Sequence, residues 1–343
     1  MRIVFYLLIL SVLVFIGCNN SNHPVVYSFV RKNVQREIID LDYQLLNVQD
    51  VFICSDNIVF FDNKSDTLFY CLDLVDFKCI KRFGVIGKGP NEFIYPVIDA
   101  MGSFNDSIYV TDKYKVKYLN YEGMLHDEYS ILPFKLMPVN NLKILNDSTY
   151  MVSSISQKDS NRSLFLVNSK KRSFEEYGRL PEIMNPVMSS DSYNSEILTN
   201  NITVNQKTNQ VAVLYSYLPV LQVYSGEKVN EKTLYSYEKQ VLLNFYGKRK
   251  DYNSIYSYYT DIDSNERYII GLYIGRKIGE LKKMRETDIM CYLHVWDWDG
   301  NPLCEIPINS AISHIVIDEN DNVYMVNPFI AENLYKLSLS NLN

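Results

Sequence analysis

From about residue 45 to its C-terminal end the chain alternates apolar stretches of four to eight residues with clusters of Asn, Asp, Gly and Ser. No long segment carries a helical period, so the pattern predicts a succession of short β-strands. The strands fall into groups that return roughly every 45 to 50 residues, the spacing of propeller blades. The clearest group is Ser107–Asp112, Lys115–Asn120, the turn Tyr121-Glu122-Gly123 and His126–Ile131. The same order recurs at Asn57–Asp62, Thr67–Leu72 and Cys79–Phe83, and at Thr149–Ser154, Ser163–Asn168 and Ser173–Tyr177. It is found again at Gln210–Tyr215, Val220–Tyr224 and Lys232–Tyr237. A further group is Arg267–Ile274, Cys291–Trp298 and Pro302–Pro307, with Asp299-Gly300 as a two-residue hairpin turn.

The last group has an inner strand at His314–Asp318, then Asn322–Val326 and Asn333–Leu339, but no fourth strand after them. A free strand, Arg36–Leu41, stands at the other end of the chain. A ring leaves no unpaired edge if that strand completes the last blade, which predicts an all-β, six-bladed β-propeller over residues 34–343, closed by an N-terminal strand. A two-sheet sandwich needs fewer strands than these.

Residues 1–17 have the make-up of a signal peptide: Arg2 supplies the positive start, and Ile3–Ile16 is an apolar run too short for a membrane span. The run ends in Phe15-Ile16-Gly17-Cys18, which resembles the lipobox of bacterial lipoproteins. The resemblance implies cleavage before Cys18 and a thioether from its thiol to diacylglycerol, leaving residues 18–33 as a lipidated tether and a membrane anchor.

Without Arg2 the mature chain has 33 basic against 40 acidic residues, and no basic face that would suit nucleic acid. The 28 Tyr and 16 Phe favour strands over a helical bundle. Five cysteines remain beside Cys18, an odd number. Cys71 and Cys79 flank a hairpin turn and could face each other, or stay as free thiols. No CxxC pair occurs and the four His are scattered singly, so neither a metal nor another cofactor is expected.

The candidate motifs mostly read as blade geometry. Gly87-Lys88-Gly89-Pro90 lacks the GxxxxGK[ST] pattern and a following helix; its glycines are expected to make positive-φ turns between blades. Trp296 and Trp298 read as packing between blades, and Asp299 belongs to a turn, which weakens any catalytic pairing with Asp297. Neither GxSxG nor HExxH occurs. Residues 275–288 form one insertion of concentrated charge, with Arg276, Lys277, Lys282, Lys283 and Arg285. The connections on the same edge of the other blades hold Lys113, Tyr114, Tyr217 and Asn327. Together with Arg276 and Lys277 they are the expected ligand-binding rim at one mouth of the channel.

Two stretches resemble the TolB-like six-bladed propeller lipoproteins of Bacteroides-type bacteria. One is Phe83-Gly84-Val85-Ile86-Gly87-Lys88-Gly89-Pro90-Asn91-Glu92-Phe93. The other runs from Tyr268-Ile269-Ile270-Gly271-Leu272-Tyr273 through His294-Val295-Trp296-Asp297-Trp298-Asp299-Gly300-Asn301-Pro302 to Ile315–Asp318 and Val323-Tyr324. The resemblance implies an exported propeller lipoprotein and brings no catalytic residues with it. The expectation is a non-catalytic binding or scaffold protein at the cell envelope that takes a protein, peptide or glycan at the propeller face. The alternative is a polysaccharide hydrolase or lyase with its site at the channel mouth. Because Asn19-Asn20-Ser21-Asn22-His23 holds no acid, the family context implies an outer-membrane anchor facing the periplasm rather than the cell surface.

Overall fold

A computed structural model describes residues 28–130, 139–154, 164–184, 198–234, 252–330, 332–340 and 342. The signal peptide and Cys18 lie outside them. Twenty-four strands form six antiparallel sheets of four among the described residues. Blade 1 is β2 (Val48–Cys54), β3 (Asn57–Asp62), β4 (Phe69–Asp73) and β5 (Cys79–Phe83). Blade 2 is β6 (Pro96–Phe104), β7 (Ser107–Asp112), β8 (Lys115–Leu119) and β9 (Leu125–Ser130). Blade 3 is β10 (Val139–Asn146), β11 (Thr149–Ser154), β12 (Leu164–Asn168) and β13 (Ser173–Tyr177). Blade 4 is β14 (Asn200–Asn205), β15 (Gln210–Tyr215), β16 (Val220–Ser225) and β17 (Lys228–Thr233). Blade 5 is β18 (Tyr256–Ser264), β19 (Ile269–Lys277), β20 (Cys291–Trp296) and β21 (Pro302–Ile308). Blade 6 is β22 (His314–Ile317), β23 (Asn322–Val326) and β24 (Asn333–Ser338), with β1 (Arg36–Asp40) on its outer side. β1 pairs with β24 from Arg36 opposite Leu337 to Asp40 opposite Asn333.

The second strand of each blade faces a neighbour on both sides, and its sequence shows it. In Asn57-Ile58-Val59-Phe60-Phe61-Asp62 every residue after the first is buried, as in a strand with two covered faces. Ile58 and Phe60 pack toward blade 6, Val59 and Phe61 toward blade 2. Six apolar clusters result, one in each gap between blades. Most outer strands are polar and exposed, as in Cys79-Ile80-Lys81-Arg82-Phe83, where only Phe83 is buried; in β21 Cys304, Ile306 and Ile308 are buried.

That polarity explains one error of sequence reading. The outer strand of blade 4 is Lys228-Val229-Asn230-Glu231-Lys232-Thr233 and starts before the expected Lys232, while residues 235–237 of that expectation lie outside the described residues; the turn is made at Gly226, whose φ is +62°, and the strand after it has too few apolar residues to announce itself. Likewise Arg276 and Lys277 end strand β19 rather than belonging to a loop. The insertion proper starts with a short helix α1 (Ile278–Leu281). All five cysteines beyond Cys18 are free thiols, Cys71 and Cys79 included.

The N-terminal segment also touches blade 5. Around Arg31 it lies parallel to β21, the Glu305 N–H donating to the Val30 carbonyl at 3.0 Å and the Lys32 N–H to the Glu305 carbonyl at 2.9 Å. Arg31 holds the Glu305 carboxylate through Nε and Nη2, at 3.0 and 2.8 Å. Glu305 Oε2 accepts from Nε2 of the fully buried His294 at 3.2 Å, and the Tyr259 hydroxyl lies 2.8 Å from Nδ1. Burial pushes the His294 pKa down despite Glu305, which keeps the ring neutral, so Nε2–H donates and Nδ1 accepts. Phe29 and Tyr273 stack on the His294 ring at 4.1 and 4.5 Å.

Candidate functional site

Inner strands β2, β6, β10, β14, β18 and β22 line the central channel. In four of them the pairing register slips: between Val48 and Asp50, between Pro96 and Met101, between Val139 and Asn141, and from Ser257 to Asp261. A bulge re-aims the side chains beside it. Here three of the four place an aspartate at or inside the slip, Asp50, Asp99 and Asp261, with Asp99 held at φ +60°. Asp263, Lys143 and His314 complete a charged waist.

Three of these carboxylates hold strands together. Asp50 accepts the N–H of Val51 at 2.9 Å and of Asp99 in the next blade at 3.0 Å. Asp261 accepts Ile262 and, across to blade 6, Ile315, both at 2.8 Å; Asp263 accepts Ile317 at 2.9 Å. Inner strands have an edge with no further strand to pair with, so these carboxylates satisfy N–H groups that would otherwise be orphaned. Burial raises the Asp50 pKa to about 7, with the Asp99 charge adding to it. Burial lifts Asp99 and Asp263 to about 6 against the pull of Lys143, and Asp261 well above the usual range. Burial works against the Lys143 ammonium, but the fields of Tyr109, Asp50, Asp263 and Asp261 outweigh it and hold the pKa above its ordinary value. His314, 3.9 Å from Asp261, is pushed down to about 4 by burial and stays neutral. Sequence reading missed all six residues. The available signal was a lone charge inside an apolar strand, as in Val48-Gln49-Asp50-Val51-Phe52.

The two ends of the channel differ. At the end with the first-to-second strand turns, a funnel of about 740 Å³ has Lys143, Asp263 and Tyr109 in its lining and a rim that includes Asp56, Asp106 and Glu319. At the other end lie the connections between blades and the second-to-third strand turns. All six rim residues named from the sequence belong to this end, but not to one cavity. Lys113 and Tyr114 line a pocket of about 330 Å³ on blade 2, together with Lys88, Glu92, Lys117 and Glu128. Lys113 has φ +63°, an uncommon conformation for a residue with a side chain, and its ammonium stands 5.4 Å from the Tyr114 ring. Tyr217, on blade 4, is partly buried against the core between blades 3 and 4. Arg276 and Lys277 are on blade 5, where Lys277 Nζ is 5.4 Å from the Tyr256 ring. Asn327 is buried, its amide donating to Ser310 Oγ at 3.0 Å and its oxygen accepting the Phe329 N–H at 2.9 Å, so it shapes a turn.

The glycine-rich connection between blades 1 and 2 is structural. Gly84 has φ +76°, but Gly87 and Gly89, the glycines expected to make positive-φ turns, do not have positive φ. They are small because Glu92 folds over them: its Oε2 accepts the Gly89 N–H at 2.7 Å, and a Cβ on Gly87 would lie 2.0 Å from that oxygen. Phe93 is thereby seated in the core beside Phe69, and the buried Lys117–Asp112 pair (2.9 Å) braces the segment, Asp112 accepting the N–H groups of Ile94 and Tyr95. Gly87→Ala is therefore expected to expel the Glu92 carboxylate and cost about 1–2 kcal/mol, the worth of a hydrogen bond to a charged group. In a Glu92→Ala background the same substitution should cost little. Equal losses of thermal midpoint in both backgrounds would show that backbone crowding, not Glu92, excludes the methyl.

A family model described as TolB-like 6-blade propeller-like matches residues 28–320. No curated protein matches the sequence. Among solved structures, the chain is similar to a member of the duf4221 family from Bacteroides vulgatus, at TM-score 0.58 and 13% identity over 91% of this chain and 97% of that one. It is similar to a candidate exported protein from Bacteroides fragilis, at TM-score 0.60 and 13% identity over 92% and 98%. A luciferin-regenerating enzyme has TM-score 0.52 at 9% identity over 90% and 96%. At such identities these likenesses speak for the fold alone.

Proposed function

The chain belongs to the TolB-like six-bladed propeller family, and from that premise we propose that it is a non-catalytic docking protein of the cell envelope, anchored through lipid on Cys18 to the periplasmic side of the outer membrane. A protein partner docks on the face that carries the connections between blades. The observation that carries this reading is the distribution of exposed apolar side chains. Leu46, Ile86, Ile94, Tyr95, Phe329 and Ile330 all lie on that face, each between 42% and 68% exposed. Clustered exposure of this kind marks protein–protein contact on soluble folds. The basic stretch at 276–285, the end of β19 and the insertion after it, flanks it and favours an acidic partner. Three of the four waist carboxylates that a hydrolase would use, Asp50, Asp261 and Asp263, are engaged in blade-to-blade hydrogen bonds. A candidate exported protein among the structural relatives accords with an envelope location.

Photo-crosslinking amino acids at Tyr95 and Phe329 in intact cells are expected to give a discrete adduct, and one at Ile80, on the outer flank of blade 1, none. Adducts from all three positions alike would sink the docking face. Digestion of the protein by protease added to unpermeabilised cells would move the anchor to the outer surface.

A further inference from the structure

We infer that the docked N-terminal segment orients the propeller on the membrane, with the funnel mouth turned toward the lipid surface and the docking face turned away. The inference rests on the Cys18 anchor proposed above. The direction of the segment carries it. Residues 30–32 run parallel to β21, and β21 starts at Pro302, immediately after the turn at Asp297–Asn301 on the funnel side. Chain upstream of Val30 therefore heads toward the funnel face, and Phe29 follows that course, packing on His294 and then on Trp296, the last residue of β20 before the same turn. The chain leaves the flank of blade 5 at its funnel-side edge.

Ten residues separate Cys18 from Phe29. If flexible, they reach roughly 16–19 Å on average, and stretched to the limit about 33–36 Å. Strand β21, seven residues long, is about 23 Å tall. To lay the docking face on the bilayer, the tether would have to turn back and climb the whole blade, about two thirds of its limit and beyond its average reach. Lying over the funnel face needs none of that. The clamp has the parts to resist being peeled away: two backbone hydrogen bonds, the two-point Arg31–Glu305 contact and a Phe29 ring stacked on a buried histidine.

The test uses the full-length lipidated protein in vesicles of neutral phospholipid carrying a headgroup quencher, in a Cys79→Ser background. A fluorophore on Glu319→Cys, at the funnel rim, is expected to be quenched several-fold more than one on Lys282→Cys, in the insertion on the docking face. Phe29→Ala with Arg31→Ala should leave the protein on the vesicles and bring the two positions closer together. Equal or reversed quenching in the parent protein, while it remains vesicle-bound, would overturn the orientation and leave the anchor intact. Vesicle binding that survives Cys18→Ser would instead overturn the anchor.

Discussion

A chain that begins at residue 43 is expected to unfold about 6–24 °C below one that begins at residue 28. Strand β1 buries Ile39, and Leu41 follows it into the same core between blades 6 and 1. Two such side chains stabilise by about 1.5–3 kcal/mol each when buried, and in a domain of this size each kcal/mol moves the midpoint by roughly 2–4 °C. The cut also bares β24, whose Leu334, Tyr335 and Leu337 are buried and whose edge then offers unpaired backbone groups to other chains. Differential scanning calorimetry of the two soluble forms decides it. A third form beginning at residue 33 separates β1 from the clamp on blade 5 and should fall much closer to the longer chain. A midpoint unchanged by removing β1 would mean that blade 6 is stable as three strands.

The second large effect is on pH. Asp50, Asp99 and Asp263 have folded pKa values raised to about 7, 6 and 6, so the folded protein holds protons that the unfolded chain has released. Stability from this source is complete below about pH 4 and is lost as the pH rises through 6 to 7. His314 acts oppositely: lowered to about 4, it supports the fold above its unfolded value and is lost as pH falls. Three carboxylates outweigh one imidazole, so the waist alone should make the protein more stable at pH 5 than at pH 8. A pKa that moves by one on folding corresponds to about 1.4 kcal/mol, which makes the Asp50 contribution on the order of 4 kcal/mol at most. Asp50→Asn keeps an acceptor for only one of the two donors, since Val51 donates to Oδ1 and Asp99 to Oδ2, so it is expected to lower the midpoint at pH 5 and, freed of the buried charge, to lower it several degrees less at pH 8. Equal destabilisation at both pH values would show that the charge itself is needed at all pH, as a staple between blades.

How far the sequence discloses this molecule follows from where its side chains point. Second and third strands of each blade are sandwiched between neighbours, so Asn57–Asp62, Thr149–Ser154 and Gln210–Tyr215 are readable to the residue. Outer strands face water, and that of blade 4 starts four residues before the pattern suggests, for want of apolar signal. Most inner strands escape delimitation altogether, because bulges break their alternation where the aspartates sit. The charged waist is hidden with them: Asp50, Lys143 and Asp263 are far apart in sequence and meet only because the ring brings inner strands to one axis. The rim residues share an edge by topology, which counting strands can give. Whether Asn327 is open to a ligand or spent on a turn depends on hydrogen bonds that no spacing encodes.

The pairing of β1 with β24 also sets an order of events. Arg36 and Leu337 are far apart in the chain, so β1 must wait for β24 to be made before it has a partner. Contacts this distant in sequence make folding slow. Meanwhile an idle strand is an aggregation template, and three of its five residues, Arg36, Glu37 and Asp40, are charged. In Arg36-Glu37-Ile38-Ile39-Asp40 those charges flank the isoleucine pair that would otherwise recruit a stranger. The propeller can thus become a ring only after β24 has been made.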